Sequence, residues 1–253
     1  MVLLNSSTIS FQLSKYVSEV EHETGRDVKI RPYDDAELHD EHRASLEIGP
    51  SISNVEIRYR PLIEESNPAF EKLIAHELTH ALMVYKEGFH LPAADPSVAT
   101  YSVQTAAEVV DLVDDVIVDA RIHRLGFFPS DLDHLGSFVR NLEILNLARS
   151  REQIDPFEED ATRAEIMFVS HYVYAWALPR CVQLAQEQVA LFDAFTHRFP
   201  RVLSAEYAKA EVITKSFEVN DIFTVSGRTK VVIGAMSLWP VEEGIYLAAL
   251  SDA

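Results

Sequence analysis

Between Phe11 and Thr24 the apolar residues Phe11, Leu13, Tyr16, Val17 and Val20 recur at helical spacing and predict an amphipathic helix. Val28-Lys-Ile-Arg-Pro follows as a short strand. Asp34 to Arg43 is acidic, carries His39 and His42, and reads as a solvated loop. Val55-Glu-Ile-Arg-Tyr-Arg alternates strictly, with Val55, Ile57 and Tyr59 on one face and Glu56, Arg58 and Arg60 on the other. It predicts a half-buried strand ended by Pro61. Residues 68–87 read as a helix. Asn67-Pro68 supplies an N-cap and a proline at the first helical position, Glu71 lies in the first turn, and Gly88 and Pro92 stand beyond the end. A loop over 88–102 leads to a second long helix over 104–124, stopped at Gly126.

Further along, residues 137–150 and 157–190 carry helical patterns, the latter with a kink or break at Pro179. The tail returns to strand-like sequence, Phe223-Thr-Val and Lys230-Val-Val-Ile, with Ser226-Gly227 as the turn between them. The order predicts an α+β fold. Residues 1–150 form its core, and residues 151–253 form a mainly helical C-terminal region with terminal strands.

Composition narrows the function. The chain has 253 residues, with 22 Lys and Arg against 40 Asp and Glu, a formal charge of −18. A phosphate backbone would be repelled, and no run of Lys or Arg offsets this, so no nucleic-acid partner is expected. The acidic excess gives solubility, or a bias toward basic substrates. One cysteine, Cys181, excludes an intrachain disulfide, and its apolar neighbours suggest a buried thiol. No basic segment precedes a long apolar run at the N-terminus, and no apolar stretch is long enough to span a bilayer. A cytoplasmic protein without a membrane partner is the expectation.

One stretch names a chemistry: His76-Glu77-Leu78-Thr79-His80. On a helix, histidines at i and i+4 share a face one turn apart, so both imidazoles can hold one Zn²⁺. The glutamate beside the first histidine can then reach a water at the metal. Ile74, Leu78, Ala81, Leu82 and Tyr85 fall on the opposite side and should bury, leaving the histidines toward a cleft.

The motif at 76–80 resembles the zincin metallopeptidases. The resemblance implies a zincin-like core, a zinc cofactor held by His76 and His80, Glu77 as general base, and a peptide or protein substrate. A catalytically silent zincin-fold binding or sensory protein with a retained zinc site is the alternative. In zincins an edge strand above the metal helix pairs with extended substrate; Val55–Tyr59 is the candidate here, with an interior strand of no substrate role as the equal alternative.

A third protein ligand is required, and the second helix offers a carboxylate stripe. Glu108, Asp111, Asp115 and Asp119 fall within an arc of about 80° on one face. Met83 and Lys86 stand where the metzincin pattern wants Gly and His, and Leu112 breaks thermolysin-like spacing after Glu108. Glu108, 28 residues after His80, resembles the completing glutamate of ImmA/IrrE-type metallopeptidases. Asp111-xxx-Asp115-xxx-Asp119 is similar to the Asn/Asp-xxx-Asp segment downstream of HExxH in several little-characterised metallopeptidase families. Asp115 is the preferred ligand and Glu108 its competitor, with Asp111 and Asp119 placed as outer-shell acceptors. His171, Tyr172, Tyr174 and His123 are candidates to steady an oxyanion.

Overall fold

A computed structural model describes residues 9–33, 44–47, 53–60, 68–127, 142 and 161–249. Within these the chain is α+β and mostly helical. It divides into two compact units. One runs through His90 and takes in the end of the second long helix from Arg121; the other takes Leu91–Ala120 and the helices of the C-terminal half. His39, His42, Asn67 and, apart from Leu142, the helix expected at 137–150 lie outside the described residues.

In the first unit, α1 spans Phe11–Thr24. Ser10 caps it by accepting from the Leu13 N–H, and Gly25 ends it in the left-handed conformation at φ 65°. Leu13, Tyr16, Val17 and Val20 are buried, an i, i+3, i+4, i+7 set, whereas Phe11 is 85% exposed. Phe11 lies two residues before Leu13, about 200° around the helix, and so falls off the stripe it was expected to join.

Strands β1 (Asp27–Pro32), β2 (Ala44–Glu47) and β3 (Asn54–Tyr59) form one sheet in the order β1-β3-β2. β1 runs parallel to β3 with Val28 opposite Val55 and Ile30 opposite Ile57. β2 runs antiparallel to β3 with Leu46 opposite Ile57. The alternation holds: Val28, Ile30, Val55, Ile57 and Tyr59 are buried. On the other face Glu56 accepts from Arg31 Nε at 2.7 Å and from Arg58 Nε at 3.3 Å. The two guanidinium groups hold the Glu56 carboxyl below the usual range, the Arg31 hydrogen bond most of all. β3 is therefore the central strand, paired on both sides. Of the two readings of Val55–Tyr59, the interior strand is the one observed and the edge-strand role is corrected, because β1 pairs along Asn54–Tyr59 and β2 along Glu56–Tyr59.

Helix α2 spans Pro68–Tyr85. Phe70, Ile74, Ala75, Leu78, Ala81 and Met83 are buried, and the Phe70 ring meets Tyr59 edge-on at 4.9 Å. Gly88, at φ 73°, turns the chain so that the Phe89 N–H returns to the Met83 carbonyl at 2.9 Å.

The second unit holds most of α3 (Thr100–Arg124), then α4 (Ala161–Cys181), α5 (Gln186–Val202), α6 (Ser204–Val219) and α7 (Val225–Met236). The loop expected over 88–102 contains a strand, β4 (Leu91–Ala94), paired with β5 (Ile245–Ala248). α3 starts four residues before the predicted 104 and ends at Gly126 in a Schellman turn. There the Gly126 N–H bonds the His123 carbonyl and the Phe127 N–H bonds that of Ile122. Pro179 sits in the last turn of α4, close to its end at Cys181. The core here is aromatic: Tyr172 packs on Phe199 at 4.9 Å and on Tyr207 at 5.4 Å. Cys181 is half-buried, more open than its neighbours suggest.

The hairpin expected over 223–233 is a helix, and this corrects the terminal strands at that place. Gly227, Arg228, Val231, Val232 and Ala235 are the buried set of α7, a helical period that overrides the β-propensity of Val-Val-Ile. Thr224 caps α7 by accepting from the Gly227 N–H at 3.1 Å. Gly227 is required by close approach: a Cβ there would lie 2.0 Å from the Asp221 carbonyl oxygen. Gly227→Ala should lower stability by roughly 1–3 kcal/mol through overpacking. The urea midpoint should fall with the slope unchanged; an unshifted midpoint would mean that the 221–224 turn yields freely.

Candidate metal centre

The face of α2 is set from behind. Tyr16 of α1 and Thr79 of α2 are both buried, and their hydroxyls lie 2.7 Å apart. Thr79 Oγ1 also donates to the Ala75 carbonyl at 2.7 Å. Burial pushes the Tyr16 phenol up to about 12, so it stays a neutral donor at any ordinary pH. At the start of α2, Glu71 accepts from the Ser10 N–H and Oγ–H, both at 2.6 Å. These contacts fix how α2 is rotated against α1, and so which way its polar residues point.

His76, Glu77 and His80 are half-buried on the far side from Ile74, Leu78 and Ala81. The two imidazoles converge: their Nε2 atoms lie 3.1 Å apart, with ring centroids at 4.9 Å. Two nitrogens on one tetrahedral zinc at 2.0–2.1 Å stand about 3.3 Å from each other. The spacing is that of an imidazole N–H···N hydrogen bond and lies close to the one a shared metal would impose.

His76 and His80 belong to the first unit and Asp115 to the second; each is half-buried and carries a ligand atom of a kind that zinc takes. The donor set, two imidazoles and one carboxylate, fits zinc or another borderline divalent metal and leaves a fourth position open.

The other carboxylates of α3 have different surroundings. Glu108 pairs with Arg163 Nε at 2.8 Å. It lies seven residues before Asp115, about 10.5 Å along the axis. Asp111 is exposed. Asp119 is buried and accepts from the Tyr174 hydroxyl. Of the residues considered for an oxyanion, Tyr172 belongs to the aromatic core, where burial raises its phenol to about 12. Tyr174 is turned to Asp119.

Two features of α3 lie outside the predicted stripe. Arg121 makes a two-pronged bond to Glu87, just past the end of α2, at 2.7 and 2.8 Å. Asp114 is 4% exposed and receives Arg228 as a fork, Nε to Oδ1 at 2.8 Å and Nη2 to Oδ2 at 2.7 Å. Arg228 itself is 0% exposed. The sequence carried a sign of this pair: Asp114 falls on the stripe of Val110, Val113 and Ile117, all buried, where a carboxylate demands a cation.

Among the described residues no helix is long and apolar enough to cross a membrane. No family model, no curated protein and no solved structure matches the chain, so what it does is argued from the site alone.

Proposed function

We propose that the chain is a zinc-dependent peptidase. His76, His80 and Asp115 hold the metal and Glu77 serves as general base. The observation that carries the reading is the convergence of His76 and His80 Nε2 at 3.1 Å on one face of α2. When bound, zinc supplies Lewis acidity, polarising the scissile carbonyl and making a neighbouring water a stronger acid. The chain's own residues supply the rest. Glu77, one residue from His76 and about 100° around the helix, flanks the metal position. Its carboxylate takes a proton from water as the water oxygen bonds the carbonyl carbon. It then delivers that proton to the amide nitrogen as the C–N bond breaks. Peptides are the substrate class, and the charge of −18 favours basic ones.

Elemental analysis of the purified chain tests the metal. Wild type is expected to hold about one zinc, and a His76→Ala/His80→Ala double variant almost none. Equal, substoichiometric zinc in both would end the metalloprotein reading.

A further inference from the structure

We infer that Arg228 is a positioning residue of the metal centre, acting through Asp114 on Asp115. The inference rests on the zinc reading above. A fully buried guanidinium forked onto a buried carboxylate is a poor source of stability, since apolar residues of similar volume usually serve as well or better. What such a fork provides is geometry: two parallel bonds fix the plane and the distance of both groups. Here the carboxylate end belongs to Asp114, the residue before Asp115. On a helix the next residue follows 1.5 Å along and about 100° around. Holding Asp114 therefore holds the direction in which Asp115 leaves α3.

The guanidinium end is equally constrained. Arg228 lies in the first turn of α7, where its N–H bonds the Thr224 carbonyl at 2.9 Å. The same turn carries the Thr224 cap and the Gly227 contact with the Asp221 carbonyl. Arg228 is thus delivered by a rigid helix start. Lysine would keep the charge and lose the fork.

The test is zinc affinity of the full chain, measured by competition with a chromogenic chelator, beside thermal unfolding of the metal-free protein. Arg228→Lys should weaken zinc roughly tenfold, the low end for a group that orients a ligand. Asp114→Leu/Arg228→Met replaces the pair by apolar residues. It should melt no lower than Arg228→Lys and yet remain as weak for zinc. On an Asp115→Ala background Arg228→Lys should cause no additional loss, since the residue it orients is gone. Recovery of wild-type affinity in the apolar double variant, or an equal loss on the Asp115→Ala background, would make Arg228 merely structural. If the double variant does not fold, the comparison across the Asp115→Ala background decides. Wild type without zinc overturns the peptidase reading and this one together. Wild type with zinc and Arg228→Lys unchanged overturns this one alone.

Discussion

Glu77→Gln is expected to keep the fold and the zinc and to lose roughly 10²–10⁴-fold in peptidase turnover. The substitution preserves shape and half-burial on α2, so the packing of Ala75, Leu78 and Ala81 is untouched. The imidazoles of His76 and His80 keep their spacing, since neither residue is altered. What disappears is the capacity to accept a proton from water, because an amide is not a base near neutral pH. Turnover of a fluorogenic peptide, measured beside elemental analysis of the same preparations, reads both properties. Turnover at the wild-type level would remove Glu77 from the mechanism. Zinc lost together with turnover would make Glu77 a ligand instead of a base. A wild-type chain that holds one zinc and cleaves no peptide would favour the silent zincin-like alternative.

The parts of this arrangement that were legible in the sequence are those written in local periodicity. α2 and β3 were legible because each pattern, of period 3.6 or 2, stays unbroken over its whole length. The direction of His76 and His80 followed from the same period. Strand order was not legible. Alternation in Val55–Tyr59 says that one face buries, not which strands lie beside it, and two neighbours close both of its edges. α7 was misread because Val231, Val232 and Ile233 favour a strand when taken alone. The contrary signals were the Thr224 cap and a buried set that includes a charged residue, Arg228, which a hydrophobicity reading skips. Asp114 was passed over for a related reason. It adjoins Asp115 in an acidic segment, and only its register with Val110 and Ile117 distinguishes it from the stripe. Both errors concern one ion pair, whose halves lie 114 residues apart.

Asp115→Ala is expected to weaken zinc by more than the roughly 10–100-fold typical of an outer-shell partner, and Glu108→Ala by less than tenfold. The two residues share a face of α3, since seven positions turn through about 700°, only some 20° short of two full turns. Their axial separation of about 10.5 Å is what divides them. One zinc with ligands near 2 Å cannot take both from a straight helix. Asp115 is the one flanked by carboxylates one turn away on each side, Asp111 and Asp119. Glu108 is engaged by Arg163, and with side chains 28% and 55% exposed that pair is worth at most about 1 kcal/mol. Its removal should therefore leave stability nearly unchanged and reach zinc only through the weak long-range field of one lost charge. Each single variant is titrated against a competing chelator, with unfolding of the metal-free form as the control for fold. A larger loss for Glu108→Ala than for Asp115→Ala would reverse the assignment.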